Sequence, residues 1–165
     1  VEVEDKMLAE GVMRRLCQGA QIDGIRFGPI LQLLITDHGS GKAPIRGQVY
    51  FNLASTWAVF DLAPASFPDN EKALPEPPVE EQLQTLCSLR ERVITEIRLG
   101  EDQPHLILSL DDGRILFVNG RHEQYECWQL GAAFGNPGEF YMVVALPGGG
   151  GVAVWAPENF DPGSA

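Results

Sequence analysis

The strongest constraint on this chain is a strand pattern that occurs twice in the same order. Ile25-Arg26-Phe27-Gly28 lines up with Ile97-Arg98-Leu99-Gly100, and Leu31-Gln32-Leu33-Leu34-Ile35 with Leu106-Ile107-Leu108-Ser109-Leu110. Gly47-Gln48-Val49-Tyr50-Phe51 lines up with Gly113-Arg114-Ile115-Leu116-Phe117, and each series then reaches a tryptophan, Trp57 or Trp128. Anchors in one order, separated by turn residues, predict an internal duplication of 24–62 and 93–130, with Phe51 equivalent to Phe117. Two copies are too few for a solenoid; they must pair into one sheet or a two-sheet core.

The remaining segments frame these units. Over Glu2–Gly19, Leu8, Val12 and Leu16 recur every fourth residue with Met13 and Cys17 beside them, which predicts a helix ended by Gly19. Gly11 weakens that helix by about 1 kcal/mol against Ala. Pro64, Pro68, Pro75, Pro77 and Pro78 exclude regular ladders and mark a proline-rich connector over 61–78. A short helix is expected after it, with Val79, Leu83 and Leu86 inward and Glu80 and Glu81 in its first turn. Val93 to Leu99 alternates as a half-buried strand, and Asp111-Asp112-Gly113 is a compact turn. Asn119-Gly120 predicts a further hairpin turn, followed by a strand from Arg121 to Leu130. The continuously apolar run Phe140 to Leu146 and Val152 to Trp155 predict strands at the centre of the core, with Val154 and Trp155 buried. The tail 157–165 is expected to fray. The fold class is therefore α+β: a mainly antiparallel β-sheet built from two related β halves, each introduced by a helix, in a single domain over 1–165.

Chemical motifs are sparse. Gly39-Ser40-Gly41-Lys42 resembles the end of a phosphate-binding loop, but Thr36 stands where that loop needs its first glycine and Ala43 where it needs a hydroxyl. His122-Glu123-Gln124-Tyr125-Glu126 lacks the second histidine of a zinc helix, and on a strand His122 and Glu126 sit about 13 Å apart at ~3.3 Å per residue. No serine occupies a G-x-S-x-G elbow. The expectation is no catalytic residue, no metal ligand and no cofactor. Cys17, Cys87 and Cys127 are an odd, scattered set, which reads as buried thiols in a reducing compartment, with a Cys87–Cys127 bridge as the alternative.

Charge then narrows the partners. The chain carries 23 acidic against 12 basic residues, a formal charge of −11. That opposes nucleic acid and anionic membrane surfaces, both of which need a basic footprint. No apolar run approaches the ~20 residues that span a bilayer, and no signal-peptide pattern is present, so a cytoplasmic location is expected. Ten acids against three arginines fall between Val93 and Ala165, placing −7 of the −11 in this half. Tyr125 and Trp128 lie among them. Acids mixed with aromatics suit a basic protein partner, and Asp111, Asp112, Glu123, Tyr125 and Glu126 are the candidate partner-binding residues.

The C-terminal half also carries a resemblance. Tyr125-Glu126-Cys127-Trp128-Gln129-Leu130, then Leu146-Pro147-Gly148-Gly149 and Val152-Ala153-Val154-Trp155, resembles small uncharacterised bacterial proteins with a YExWxL strand followed by PGG and avW. Some of these are similar to immunity proteins of polymorphic toxin systems. The resemblance covers about the last 70 residues, is structural rather than catalytic, and implies no active-site residues. The reading that follows is a non-catalytic acidic binding protein, in one form an immunity protein that neutralises a basic toxin. The alternative is a small-molecule-binding protein or enzyme using a cleft between the two β halves.

Overall fold

The computed structural model describes residues 2–36, 48–132 and 140–164. The Gly39–Lys42 segment lies outside the described residues. Helix α1 (Val3–Cys17) buries Val12, Met13, Leu16 and Cys17, with Glu4 and Asp5 in its first turn and Arg14 and Arg15 in its last, each sign opposed to the helix dipole. Gly11 has a packing reason: a Cβ there would stand 2.5 Å from Pro162 Cβ. The absent side chain lets the C-terminal 3-10 turn Pro162–Ser164 lie on the helix, where Arg14 donates to the Pro162 carbonyl at 3.3 Å. The tail expected to fray is docked there instead.

Strands β1 (Gln21–Arg26), β2 (Leu31–Thr36) and β3 (Val49–Leu53) form one antiparallel meander. Strands β5 (Ile94–Leu99), β6 (Leu106–Leu110) and β7 (Ile115–Val118) form a second. The fourth strand of each series crosses over. Strand β4 (Trp57–Phe60) pairs with β7, and β8 (Trp128–Ala132) pairs with β3. A hairpin of β9 (Met142–Ala145) and β10 (Val152–Trp155) then extends the first sheet beyond β8. The result is a six-stranded sheet, β1-β2-β3-β8-β9-β10, and a four-stranded sheet, β4-β7-β6-β5, all antiparallel, with helices: the α+β class expected. Ile22, Leu33, Phe51 and Leu130 of one sheet and Ile97, Leu108 and Leu116 of the other share one apolar core.

The two meanders repeat each other in detail. Both carry a bulge in the first strand, between Ile22 and Gly24 and between Ile94 and Glu96. Ile22 N–H donates to the Arg92 carbonyl at 3.0 Å and Ile94 N–H to the Ala20 carbonyl at 2.9 Å. Gly19 N–H reaches Ile94 O and Glu91 N–H reaches Ile22 O, at 2.8 and 2.7 Å. These bonds exchange under a constant offset of 72 (22 to 94, 20 to 92, 19 to 91). The same left-handed turn therefore recurs, with Gly19 at φ +85° and Glu91 at φ +66°; glycine adopts that conformation freely, whereas glutamate is held there by its neighbours. Helix α1 packs on β5 of the four-stranded sheet and on β8, β9 and β10 of the six-stranded sheet, and the second helix, α2 (Val79–Cys87), packs on β1.

Register corrects one expectation. Leu33 faces Phe51 across β2–β3, and Leu108, which matches Leu33, faces Leu116 across β6–β7. Phe51 is thus equivalent to Leu116, and Phe117 to Asn52. A one-residue slip sends a side chain to the opposite face of a sheet: Phe51 sits in the shared core, edge-on to Trp128 at 6.5 Å, and Phe117 lies on the outer face of the four-stranded sheet. The tryptophan match stands in the pairing, Trp57 opposite Val118 and Trp128 opposite Leu53.

Other expectations also change. Strand β10 is the edge of its sheet and Trp155 is 44% exposed, because the hairpin is added outside β8 rather than threaded through the centre; Val143, Val144 and Ala145 of β9 are buried. Residues 119–127 form an irregular arm, with strand pairing beginning only at Trp128. In α2 only Leu86 is fully buried and Val79 is 64% exposed. Cys17 and Cys127 are buried, Cys87 is exposed, and none of the three is in a disulfide.

The outer faces of the two sheets are finished differently. On the six-stranded sheet, Arg26, Gln32, Asn52 and Gln129 stand opposite one another in a row. Arg26 donates to Gln32 Oε1 at 3.3 Å, Gln32 to Asn52 Oδ1 at 2.7 Å, and Asn52 to Gln129 Oε1 at 3.0 Å. Gln129 then donates to the Tyr50 hydroxyl at 3.0 Å, and burial pushes the Tyr50 pKa up against that bond. The equivalent row of the four-stranded sheet is Arg98, Ile107, Phe117 and Ala58. It is covered by the connector. Phe67 stacks on Phe117 at 5.4 Å, Phe60 meets both rings edge-on, and Leu74 completes the cluster. Arg98 lies over the Phe67 ring at 5.6 Å.

Candidate functional site

The five candidate residues fall at opposite ends of β7. Asp111 and Asp112 occupy the β6–β7 turn, before Ile115, whereas Glu123, Tyr125 and Glu126 follow Val118. The four residues of the strand between them span about 13 Å at ~3.3 Å per residue. They do not form one face.

The aspartates serve local structure. Asp111 accepts from the Val93 N–H at 3.2 Å and pairs with Arg92 at 3.8 Å. Asp112 receives the Arg114 backbone N–H at 3.1 Å and its guanidinium at 2.8 Å, and this arginine holds the carboxyl below its usual range. Arg114 also donates to Ser88 Oγ and to the Ser88 carbonyl, at 2.7 and 2.9 Å. The turn thereby ties β7 to the end of α2.

The second group is built on an anchored loop. Asn119 is fully buried; its N–H donates to Thr56 O at 2.9 Å and its side chain to Arg121 O at 2.8 Å. His122 Nδ1 accepts from the N–H groups of Gln124 and Tyr125 at 3.1 and 3.2 Å, and its ring packs on Tyr125 at 4.7 Å. With Nδ1 occupied as an acceptor, the proton of neutral His122 belongs on Nε2. Tyr125 is left 62% exposed, flanked by Glu126 and by Glu123, which pairs with Arg121 at 3.8 Å.

This loop forms one wall of a pocket of about 340 Å³. The other walls come from Thr56 and Trp57 at the start of β4 and from Glu71 and Glu76 of the connector. Thr56 Oγ1 is buried there with no hydrogen-bond partner among the described residues. Beside the pocket, burial raises the Cys127 thiol to about 11, so it is an unreactive neutral group at physiological pH. Glu71 and Glu76 were missed because the connector reads only as a linker; their one signal is charge placed among prolines. Among the described residues no cluster of three or more His, Cys, Asp or Glu is placed to hold a metal ion, and no helix is long and apolar enough to cross a membrane. The arrangement offers carboxylates, aromatic rings and hydrogen-bonding groups: recognition chemistry for a cation. No protein-family model, curated protein or solved structure matches the chain.

Proposed function

We propose that the protein is a non-catalytic binding protein that engages a basic protein partner by taking a lysine or arginine side chain into the pocket between the connector and the 122–126 loop. The convergence of Glu71 and Glu76 with Trp57 and Tyr125 on one pocket carries this reading. Carboxylates supply charge complementarity, and aromatic faces add ~0.5–2 kcal/mol for a cation. The net charge of −11 steers basic surfaces inward and repels nucleic acid. An immunity protein that masks a basic toxin is the specific form we favour, in a cytoplasmic setting suited to three cysteines outside any disulfide. The alternative cleft between the halves has less support, since the space between the sheets is filled by their shared apolar core.

The test is calorimetric titration with a tri-arginine peptide and a tri-glutamate control. Tri-arginine binding should weaken about tenfold in Glu71→Gln/Glu76→Gln, and fade as salt shortens the ~8 Å Debye length. Binding that ignores both the double variant and salt removes the proposal.

A further inference from the structure

The walls of the partner pocket are tied together by one buried histidine outside it. His105 lies just before β6, is only 7% exposed, and packs its ring on Phe117 at 5.1 Å. Its Nδ1 accepts from the Gly120 N–H at 2.9 Å. Gly120 leads into the loop whose His122 and Tyr125 line the pocket. The neighbouring Asn119 carbonyl receives the Ser55 hydroxyl, and the Asn119 N–H reaches the Thr56 carbonyl, which fixes the β4 wall. The connector meets the same ring, because Asp69 presents to it both a carboxylate and a carbonyl. Glu71 follows in a 3-10 turn (Glu71–Ala73) capped by Asn70, whose side chain accepts from the Lys72 N–H at 3.1 Å. One imidazole thus joins the segments that carry Glu71, Thr56 and Tyr125.

This junction holds only while the ring is neutral. An accepting Nδ1 carries no proton, and protonation turns both ring nitrogens into donors. The new Nδ1 proton then faces the Gly120 proton. The turn has no slack to absorb this: a Cβ on Gly120 would already overlap the Pro104 carbonyl, which the Trp128 indole holds at 2.8 Å. Burial keeps the ring's pKa below its ordinary 6.5 and Arg121 adds to that, while Asp69 opposes both. The uncharged Phe117 of β7 and Gly100, just past β5, pack beside the ring. A protonated ring gains at the Asp69 carboxylate and loses at Gly120, so the bond to the loop is the one that breaks. We propose that His105 is a pH-sensitive latch on the partner pocket. Neutral, it holds the loop wall against the connector wall; protonated, it releases Gly120, the pocket loosens, and a basic side chain bound near neutrality is let go in mild acid. The inference rests on the reading of that pocket as a site for a basic side chain.

Two measurements test it. In the free protein, NMR spectra are followed from pH 7.5 to 5. The amides of Asn119 and Gly120 should shift with the midpoint of the His105 ring, while those of Leu33 and Leu108 in the shared core stay in place, which separates local release from unfolding. Calorimetric titration with tri-arginine is then run at pH 7.5 and 5.5. Affinity should fall about tenfold in the wild type and no more than about twofold in His105→Gln, whose amide keeps an acceptor but takes up no proton. Equal wild-type affinity at the two pH values overturns the latch and leaves the pocket reading intact. So does a decline as steep in His105→Gln, which assigns the effect to His122 in the pocket wall. A Gly120 amide indifferent to the His105 midpoint overturns it too, and needs no variant. Absence of tri-arginine binding at pH 7.5 removes the pocket reading, and this inference with it.

Discussion

Asn52 and Phe117 occupy matching places in the two sheets, each the middle of a cross-strand row that starts from an arginine. Around Asn52 the row is closed by its own side chains, amide to amide, and each residue keeps some contact with water. Around Phe117 the row cannot close itself, because apolar groups gain only by losing contact with water. It therefore recruits the connector, and Phe67 supplies the missing layer. One strand topology thus yields two surfaces: a self-satisfied polar face, and a covered apolar face. The residue in the middle of the row decides which, through what it needs from its surroundings.

The comparison can be broken most severely at Phe117. Phe117→Ala should cost about 3–5 kcal/mol by urea unfolding, the range for deleting a buried aromatic that touches several others. A loss below about 1 kcal/mol means that the connector is not seated as described. Asn52→Ala should cost less, about 1–2 kcal/mol, since Gln32 and Gln129 each lose a partner but keep access to water. If Asn52→Ala proves the more damaging of the two, the polar row rather than the covered face holds the fold.

The smallest effect sharpens the comparison through pH. His105 precedes β6 as Ile30 precedes β2, yet Ile30 is 43% exposed and His105 is buried by the covered face. Burial lowers the His105 pKa, against the opposing pull of the Asp69 carboxylate and carbonyl. The unfolded chain then binds the proton more readily than the folded one, so this group's contribution is present above the unfolded value of ~6.5 and is lost as pH falls through and below it. Urea midpoints measured from pH 7.5 to 5 should decline, and His105→Gln should flatten the decline. An identical slope in the variant would place His105 in water.

Much of this was legible from local pattern. Alternation of Leu31, Leu33 and Ile35, and of Leu106, Leu108 and Leu110, marked the sides that turn inward, and the Leu8-Val12-Leu16 spacing marked α1. The pairing of Phe51 with Phe117 went wrong because both follow a run of β-branched and large residues, and composition carries no parity; only the partner strand does. At the candidate site, Tyr125 and its flanking glutamates were identified, but Asp111 and Asp112 were joined to them by charge alone. The structure shows those two carboxylates engaged with Arg92, Arg114 and the Val93 N–H. The Glu71 and Glu76 wall was invisible because it depends on where the connector lands.

The residues by themselves determined what most segments are: two helices, strands with an inward and an outward side, and a repeated order of anchors. These are properties of a few neighbouring side chains and their spacing. Tertiary structure alone decided that β4 and β8 exchange sheets, that β10 is an edge and leaves Trp155 exposed, and that the proline-rich connector is a cover for the four-stranded sheet. A strand's side chains state which way it faces, but its backbone hydrogen bonds accept any neighbour of suitable register; which neighbour it meets is settled by how the whole set of apolar faces can be buried at once.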